Sequence, residues 1–282
     1  MTIANSTARL AWLSPTLVVG VLAGLWIGGC TGWPESVQEK RAFGDARLRA
    51  FREHLASAPN FTFTADEYHL RSPGGQKIQE IAELAKRDLV REVAVRRPNA
   101  AWFGARGDRE EQVWYSESTL TRISDDEKSW TQEEIPGDLD LALGAIGERI
   151  DLLRPMTDLL SGALWDDALA PERSGGWVSI ETIGKKKCDR LVYSQERVDW
   201  QLWIEEGKRA LPCQIMLVYK DEPGPARSTL VFRDWNFAVD ASAERFKATI
   251  PTGYERLGKL ERTGEVSPAA PAAVPPAADS DR

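Results

Sequence analysis

The 282-residue chain has 43 acidic and 36 basic residues, so its formal net charge at pH 7 is −7. This acidic balance argues against a nucleic-acid partner, because phosphate contacts require clustered lysines and arginines. The sequence contains no glycine-rich phosphate loop and no repeat of fixed period. The length fits one large domain or two small ones, and 11 tryptophans supply material for a large core or an apolar cavity.

The first 30 residues have the pattern of a bacterial lipoprotein signal. Residues 1–9 contain one cation, Arg9, and residues 10–29 contain no charge. The segment Ile27-Gly28-Gly29-Cys30 then resembles a lipobox, in which an aliphatic and two small residues precede the cysteine that receives the lipid. We predict a signal peptide at residues 1–29 and a lipidated Cys30, which starts a tether at residues 30–35.

An uncleaved N-terminal anchor helix is the alternative for this segment, because residues 10–29 are long enough in principle to span a bilayer. Either outcome places the rest of the chain outside the cytoplasm. Thr31, rather than an aspartate, follows Cys30, so a signal for retention in the inner membrane is missing. We therefore expect the protein on the periplasmic face of the outer membrane, held there through its N-terminal lipid.

A helix is predicted at residues 36–57, where Ser36 and Glu39 have the spacing of a capping box. Its apolar residues fall near one stripe: Val37, Phe43, Leu48, Phe51 and Leu55. From residue 60 the apolar pattern has a period of two, which predicts a strand at residues 61–70 and four further short strands between residues 100 and 135. Residues 76–97 stay ambiguous, since they begin with a helical pattern and end with a strand pattern.

The chain returns to helix at residues 138–164, with Asp138 as the N-cap and Pro155 opening a second short helix that runs through Leu164. A second series of strands is predicted from Trp177 to Pro251, ending with residues 245–251. Because the apolar face of such a sheet needs a partner layer, we predict an α+β fold with a strongly curved antiparallel sheet wrapped around the N-terminal and central helices. This domain should span residues 36–258, and the Pro/Ala-rich residues 259–282 should be a disordered tail.

The second strand series carries a recognisable pattern at residues 188–224, and three shorter segments accompany it in order, at residues 95–103, 114–121 and 234–237. Together these segments resemble a bacterial envelope family known as domain of unknown function 2092. The resemblance covers about residues 36–255. It implies a half-barrel similar to the LolA/LolB lipoprotein carriers, with an apolar cavity, and it implies no catalytic residues.

Catalytic and metal-binding patterns are weak in this sequence. His54 and His69 have no cluster of cysteines or carboxylates at metal spacing, and the adjacent acidic pairs mostly fall in predicted turns. Asp199, which opens a tryptophan-rich strand, is most simply an acid that bonds a backbone turn. We therefore predict a protein that is not an enzyme and has no catalytic residue, no metal and no cofactor.

Cys188 and Cys213 fall on predicted strands with one strand between them. Next-but-one strands of a simple meander lie roughly 9–10 Å apart, whereas the Cα atoms of a disulfide lie within about 7 Å. The spacing therefore favours two free, buried thiols, although an oxidising envelope often joins such a pair.

Six tryptophans are candidates for the wall of a ligand cavity: Trp102, Trp114, Trp130, Trp165, Trp200 and Trp203. Trp200 and Trp203 should lie on opposite faces of one strand. Plain core packing is the competing interpretation for all six. The sequence leaves two functions open, namely binding of a hydrophobic ligand such as an acyl chain, or an interaction scaffold with a filled core.

Overall fold

The computed structural model describes residues 33–71, 89–150, 153–161, 174–220, 226–239 and 242–258. The predicted signal peptide, Cys30, most of the ambiguous segment and the predicted tail lie outside these residues. The helices within them are α1 (Val37–Ser57), α2 (Leu139–Arg149) and α3 (Arg154–Leu160). The strands are β1 (Asn60–Arg71), β2 (Leu89–Arg96), β3 (Ala100–Gly107), β4 (Glu111–Ser116), β5 (Thr119–Ser124), β6 (Ser129–Glu134), β7 (Ser174–Ile183), β8 (Lys186–Ser194), β9 (Val198–Glu205), β10 (Pro212–Tyr219), β11 (Ala226–Asn236) and β12 (Glu255–Arg256). No helix among the described residues is long and apolar enough to cross a membrane.

All the described strands belong to one sheet, in the order β12-β6-β5-β4-β3-β2-β1-β11-β10-β9-β8-β7. Two meanders, β1–β6 and β7–β11, meet where β1 pairs antiparallel with β11. The short β12 is parallel to β6, and the other neighbours are antiparallel. The predicted α+β class with a curved antiparallel sheet is confirmed.

Helix α1 begins as the sequence predicts. The Glu39 backbone N–H donates to Ser36 Oγ (3.2 Å), and the Ser36 N–H donates to Glu39 Oε2 (3.0 Å), which completes the capping box. Leu48, Phe51 and Leu55 are buried against the sheet. We call the sheet face packed against the helices the inner face and the opposite side the outer face. Val37 is exposed, so the buried stripe is shorter than predicted.

Three residues of α1 fix the helix on β7–β9. The Arg47 guanidinium lies 2.8 Å from a carboxylate oxygen of Asp189, and Tyr193 donates its hydroxyl proton to the Asp45 carboxylate (3.0 Å). Gly44, the residue before Asp45, lies against the backbone of β7. A Cβ atom at position 44 would come within 2.7 Å of the Trp177 backbone nitrogen. The helix can approach this strand so closely only because position 44 has no side chain.

Helices α2 and α3 begin at predicted signals. Asp138 caps α2 by accepting a hydrogen bond from the Leu141 N–H (3.0 Å), and a proline lies in the first turn of α3. Helix α3 ends at Leu160, and residues 162–164 of its predicted range lie outside the described residues. The buried faces of both helices join the core under α1.

The prediction of two free thiols is wrong, because Cys188 and Cys213 form a disulfide. The register between β10 and β9 shifts between Pro212 and Gln214, so Cys213 is the extra residue of a β-bulge. Together with the curvature of the sheet, the bulge leaves the two Cα atoms 7.0 Å apart across β9. The two cysteines pack with Trp203 on the outer face.

The prediction of a strand at residues 245–251 is also wrong. The chain forms a 3₁₀-helix at Ala243–Phe246 and then continues without regular structure to β12. Phe246 is buried against Ala94 and Ala100 of the outer face. The buried Phe246 side chain therefore holds this segment against the outer face, and the segment does not extend the meander as a further strand. We call residues 242–258 the C-terminal strap, which covers part of the outer face.

Gly44 provides a direct test of how α1 docks. We expect Gly44→Ala to lower the free energy of unfolding by roughly 1–3 kcal/mol, because the added methyl group would push α1 away from the β7 backbone. Gly144→Ala is the matched control, since a Cβ atom there meets nothing within 4 Å. It should be neutral or stabilise the protein by up to about 1 kcal/mol. Urea unfolding of both variants measures the difference, and equal effects would contradict the docking model.

The disulfide should contribute about 3 kcal/mol to the free energy of unfolding, because it closes a loop of 25 residues in the unfolded chain. We expect dithiothreitol to lower the urea midpoint of the wild-type protein by the corresponding amount. The Cys188→Ala/Cys213→Ala variant should start from the lower midpoint and not respond to reductant. A wild-type protein with two titratable thiols and an unchanged midpoint would refute the bond.

Candidate ligand-binding site

The inner face of the sheet and the three helices share one continuous hydrophobic core. Alternate strand residues supply large apolar side chains, such as Phe61 and Phe63 on β1 and Trp200 and Leu202 on β9. Leu48 and the other buried residues of α1 pack onto them. Side chains from both layers therefore fill most of the space between the helices and the sheet.

A pocket of about 190 Å³ remains where α1, α2 and α3 meet. Its apolar lining consists of Phe51, Leu55, Ala56, Leu159 and Leu160. An apolar cavity of about 150 Å³ is large enough to bind benzene. The pocket can therefore accept a short hydrocarbon group, although it is smaller than the roughly 300–1,000 Å³ of most ligand sites.

Backbone hydrogen bonds position the polar side of this pocket. The Arg97 N–H donates to the carbonyl of Pro59 just after α1 (2.8 Å), and the Leu139 N–H donates to the carbonyl of Pro98 (2.7 Å). The turn after β2 is thereby held between the end of α1 and the start of α2. As a result Arg97 and Asp140 come together at the pocket, where they form an ion pair.

Arg52 and Ser161 complete the polar lining, so two guanidinium groups face one carboxylate around the pocket. The Arg97 side chain is 14% exposed, and its Nε–H is buried without a hydrogen-bond partner in the described part of the chain. Sequence reasoning missed Arg97, because a charged residue before a proline in a turn looks like an ordinary solvated residue.

Three of the predicted cavity tryptophans lie on the outer face. Trp102 pairs across strands with Trp114, and their neighbours Phe103, Val113 and Tyr115 point into the inner core. Trp130 on β6 lies opposite Ile123 on β5 and shares this outer face. The alternation predicted which residues share a face, but these three side chains do not line the pocket between the helices.

Two of these outer tryptophans contact arginines of the C-terminal strap. The guanidinium carbon of Arg245 lies 5.4 Å from the centre of the Trp102 ring, and that of Arg256 lies 4.9 Å from the Trp130 ring. Such cation–π contacts are favourable at partly exposed sites. Trp102 also covers Gly104, where a Cβ atom would come within 2.8 Å of the indole. These rings therefore bind the chain's own strap.

Trp200 and Trp203 lie on opposite faces of β9, as predicted. Trp200 is in the inner core and stacks on Tyr193 at a ring distance of 4.4 Å. Trp203 is on the outer face, packs against the disulfide and donates its N–H to Glu181 (2.8 Å). Trp165 and the predicted lipidation site Cys30 lie outside the described residues.

A buried charged cluster on the inner face was not foreseen. Glu67 on β1 and Arg91 on β2 are 0% and 1% exposed, and Arg91 Nε donates to Glu67 Oε2 at 2.5 Å. The other carboxylate oxygen accepts from Ser228 Oγ on β11 (3.1 Å) and lies 3.2 Å from His69 Nε2. Burial alone would raise the pKa of Glu67, but Arg91 and His69 overcome this effect and lower the pKa to about 2. The carboxylate therefore stays ionised inside the protein.

The other acid–base candidates have structural partners. Asp199 accepts a hydrogen bond from Ser194 and forms an ion pair with Lys220 (2.7 Å). His54 packs edge-to-face against Phe237, and burial, together with the charge of Arg209, lowers its pKa. Among the described residues, no three His, Cys, Asp or Glu side chains are placed to hold a metal ion.

The chain belongs to the family described as predicted periplasmic protein (DUF2092), whose model matches residues 44–257. A comparison with curated proteins finds no match. The match to the family model confirms the family resemblance that the sequence predicted.

Solved structures similar to this chain include an uncharacterized conserved protein from Thermus thermophilus, with 9% identity, a TM-score of 0.43 and coverage of 75% of this chain and 96% of that chain. A LolA superfamily protein from Nitrosomonas europaea has 9% identity, a TM-score of 0.35 and coverage of 73% and 98%. The lipoprotein LppX from Mycobacterium tuberculosis has 9% identity, a TM-score of 0.41 and coverage of 70% and 97%.

The Glu67 cluster should make the stability of the protein depend on acid pH. Because the pKa of Glu67 is lowered on folding, its stabilising effect is complete above the unfolded value near 4.5 and is lost as the pH falls towards 2. We expect Glu67→Gln to cost about 3–5 kcal/mol at pH 7, since the guanidinium of Arg91 would stay buried without the Glu67 carboxylate. The cost should shrink as the pH falls through this window.

Urea unfolding at a series of pH values measures this dependence. Glu134→Gln is the matched control, because Glu134 is exposed at the end of β6. It should change stability little at any pH. If Glu67→Gln and Glu134→Gln behave alike, the carboxylate of Glu67 is not stabilised as the contacts indicate.

Proposed function

We propose that this periplasmic protein binds a hydrophobic ligand, such as an acyl chain or the lipid of a lipoprotein, without covalent chemistry. The observation that carries the proposal is the pocket between α1, α2 and α3, whose apolar lining is open to a ligand. Binding would be driven by burial of apolar surface, at roughly 25 cal/mol per Å². The size of the pocket fits one end of a chain rather than a whole lipid.

Lipidation of Cys30 would hold the protein at a membrane surface. The lipobox pattern at residues 27–30 supports the anchor, and only a few residues separate Cys30 from the start of α1. The protein would then stay at the periplasmic face of the outer membrane, where acyl chains are abundant. The alternative N-terminal anchor helix would place it at the inner membrane instead.

A scaffold without a ligand is the second candidate, because the inner face and the helices form a continuous buried core. Such a protein would act through its surface or through residues 259–282, which would contact a protein partner. The two candidates differ in whether the pocket between the helices is used.

Photolabelling of the pocket separates the two candidates. The full chain would be reconstituted in phospholipid vesicles with a fatty acid that carries a diazirine in its tail, and labelled residues would be mapped by mass spectrometry. We expect labels on the peptides of α1 and α3 that line the pocket. Ala56→Trp should strongly reduce this labelling. Ala56 is an exposed residue of the pocket lining, and an indole at this position would occupy space that the ligand needs.

Ser57→Trp is the matched control, since Ser57 is exposed on the same turn of α1 and does not line the pocket. Its labelling should equal that of the wild-type protein. Wild-type protein without labels in the pocket, or equal labelling in both tryptophan variants, would refute the binding function and favour the scaffold.

A further inference from the structure

The pocket contains a positive charge that a purely hydrophobic ligand would not use. Arg97 is largely buried there, its Nε–H has no hydrogen-bond partner in the described residues, and its ion-pair partner Asp140 is 60% exposed. Buried polar groups normally have partners. An ion pair with one exposed member is also weak, because solvent screens it. The guanidinium is therefore available to a stronger acceptor that enters the pocket.

The start of α2 adds to the positive potential at the same place. Asp140 lies in the first turn of this helix, so the positive end of the helix dipole points towards the pocket region. Arg52 contributes a second guanidinium from α1. These groups surround an apolar lining, which is the arrangement that an amphiphilic anion requires.

We propose that the pocket binds a small organic anion, namely a short carboxylate whose apolar body fills the cavity and whose carboxylate pairs with Arg97. This inference rests on the proposed function and specifies its ligand class. A guanidinium donates two parallel hydrogen bonds to a carboxylate. The incoming carboxylate replaces that of Asp140, which turns to solvent.

The size of the cavity limits the length of this anion. With the carboxylate held at Arg97, the whole tail has to fit within about 190 Å³. A hydrocarbon body close to the size of benzene meets this limit. A long acyl chain could enter only with its methyl end, which would leave its head group outside the pocket and out of reach of Arg97.

Hexanoate and 1-hexanol are matched probes for this proposal, because they share the tail and differ in charge. Their binding would be measured by isothermal titration calorimetry with the full chain in phospholipid nanodiscs, and with empty nanodiscs as the blank. We expect hexanoate to bind at least about tenfold more tightly than hexanol, as a charge-assisted hydrogen bond predicts.

Three variants locate the source of this preference. Arg97→Gln should abolish it, so that both probes bind equally. Asp140→Asn removes the competing carboxylate and should tighten hexanoate binding severalfold, which increases the preference over hexanol. Arg149→Gln is the control, because Arg149 lies in the last turn of α2, outside the pocket, where it bonds Glu133. It should keep the wild-type preference.

Each outcome of this experiment decides the proposal. Equal binding of hexanoate and hexanol by the wild-type protein would overturn the anion specificity and leave the hydrophobic pocket standing. An Asp140→Asn variant with unchanged hexanoate affinity would also overturn it, even if Arg97→Gln fails to fold. Absence of binding by both probes would overturn the inference, and the diazirine labelling would then decide the proposed function independently.

Discussion

The antiparallel pairing of β1 with β11 is the contact on which the sheet depends, because it joins two meanders that would otherwise end separately. It brings together Glu67 and Ser228, which are 161 residues apart in the sequence. Glu67 also sets the register, since a shift by one residue would turn its carboxylate to the outer face and break its hydrogen bond with Arg91. The buried carboxylate of Glu67 has to contact residues of both β2 and β11. It therefore specifies the pairing of β1 with β11 more closely than apolar residues would.

The position of the pocket follows from how the helices cover the inner face of this joined sheet. Helix α1 is fixed on β7–β9 through Gly44 and Arg47, and its other end reaches the turn that carries Arg97. Helix α2 begins at the same turn, and α3 ends there with Leu160. The cavity remains between the C-terminal ends of α1 and α3 and the start of α2.

The sequence was sufficient to predict the elements whose signals are local, such as the capping box at Ser36 and the period of two along the strands. It also predicted that Trp200 and Trp203 lie on opposite faces. It could not show which face the other tryptophans take, because the C-terminal strap that covers Trp102 and Trp130 is a tertiary contact. The disulfide was missed because a bulge at Cys213 has no sequence signal, and Arg97 was missed because only the fold brings it to Asp140.

The net charge of −7 and a site for anions are compatible, because the two act over different distances. Charges separated by more than about 8 Å are largely screened at physiological ionic strength. The acidic surface therefore contributes little at Arg97, which is close to its ligand and largely shielded from water. A polyanion has to contact a wide surface and meets the net negative charge, whereas a small anion meets only the lining of the pocket. The composition thus argues against nucleic acid but not against a small carboxylate.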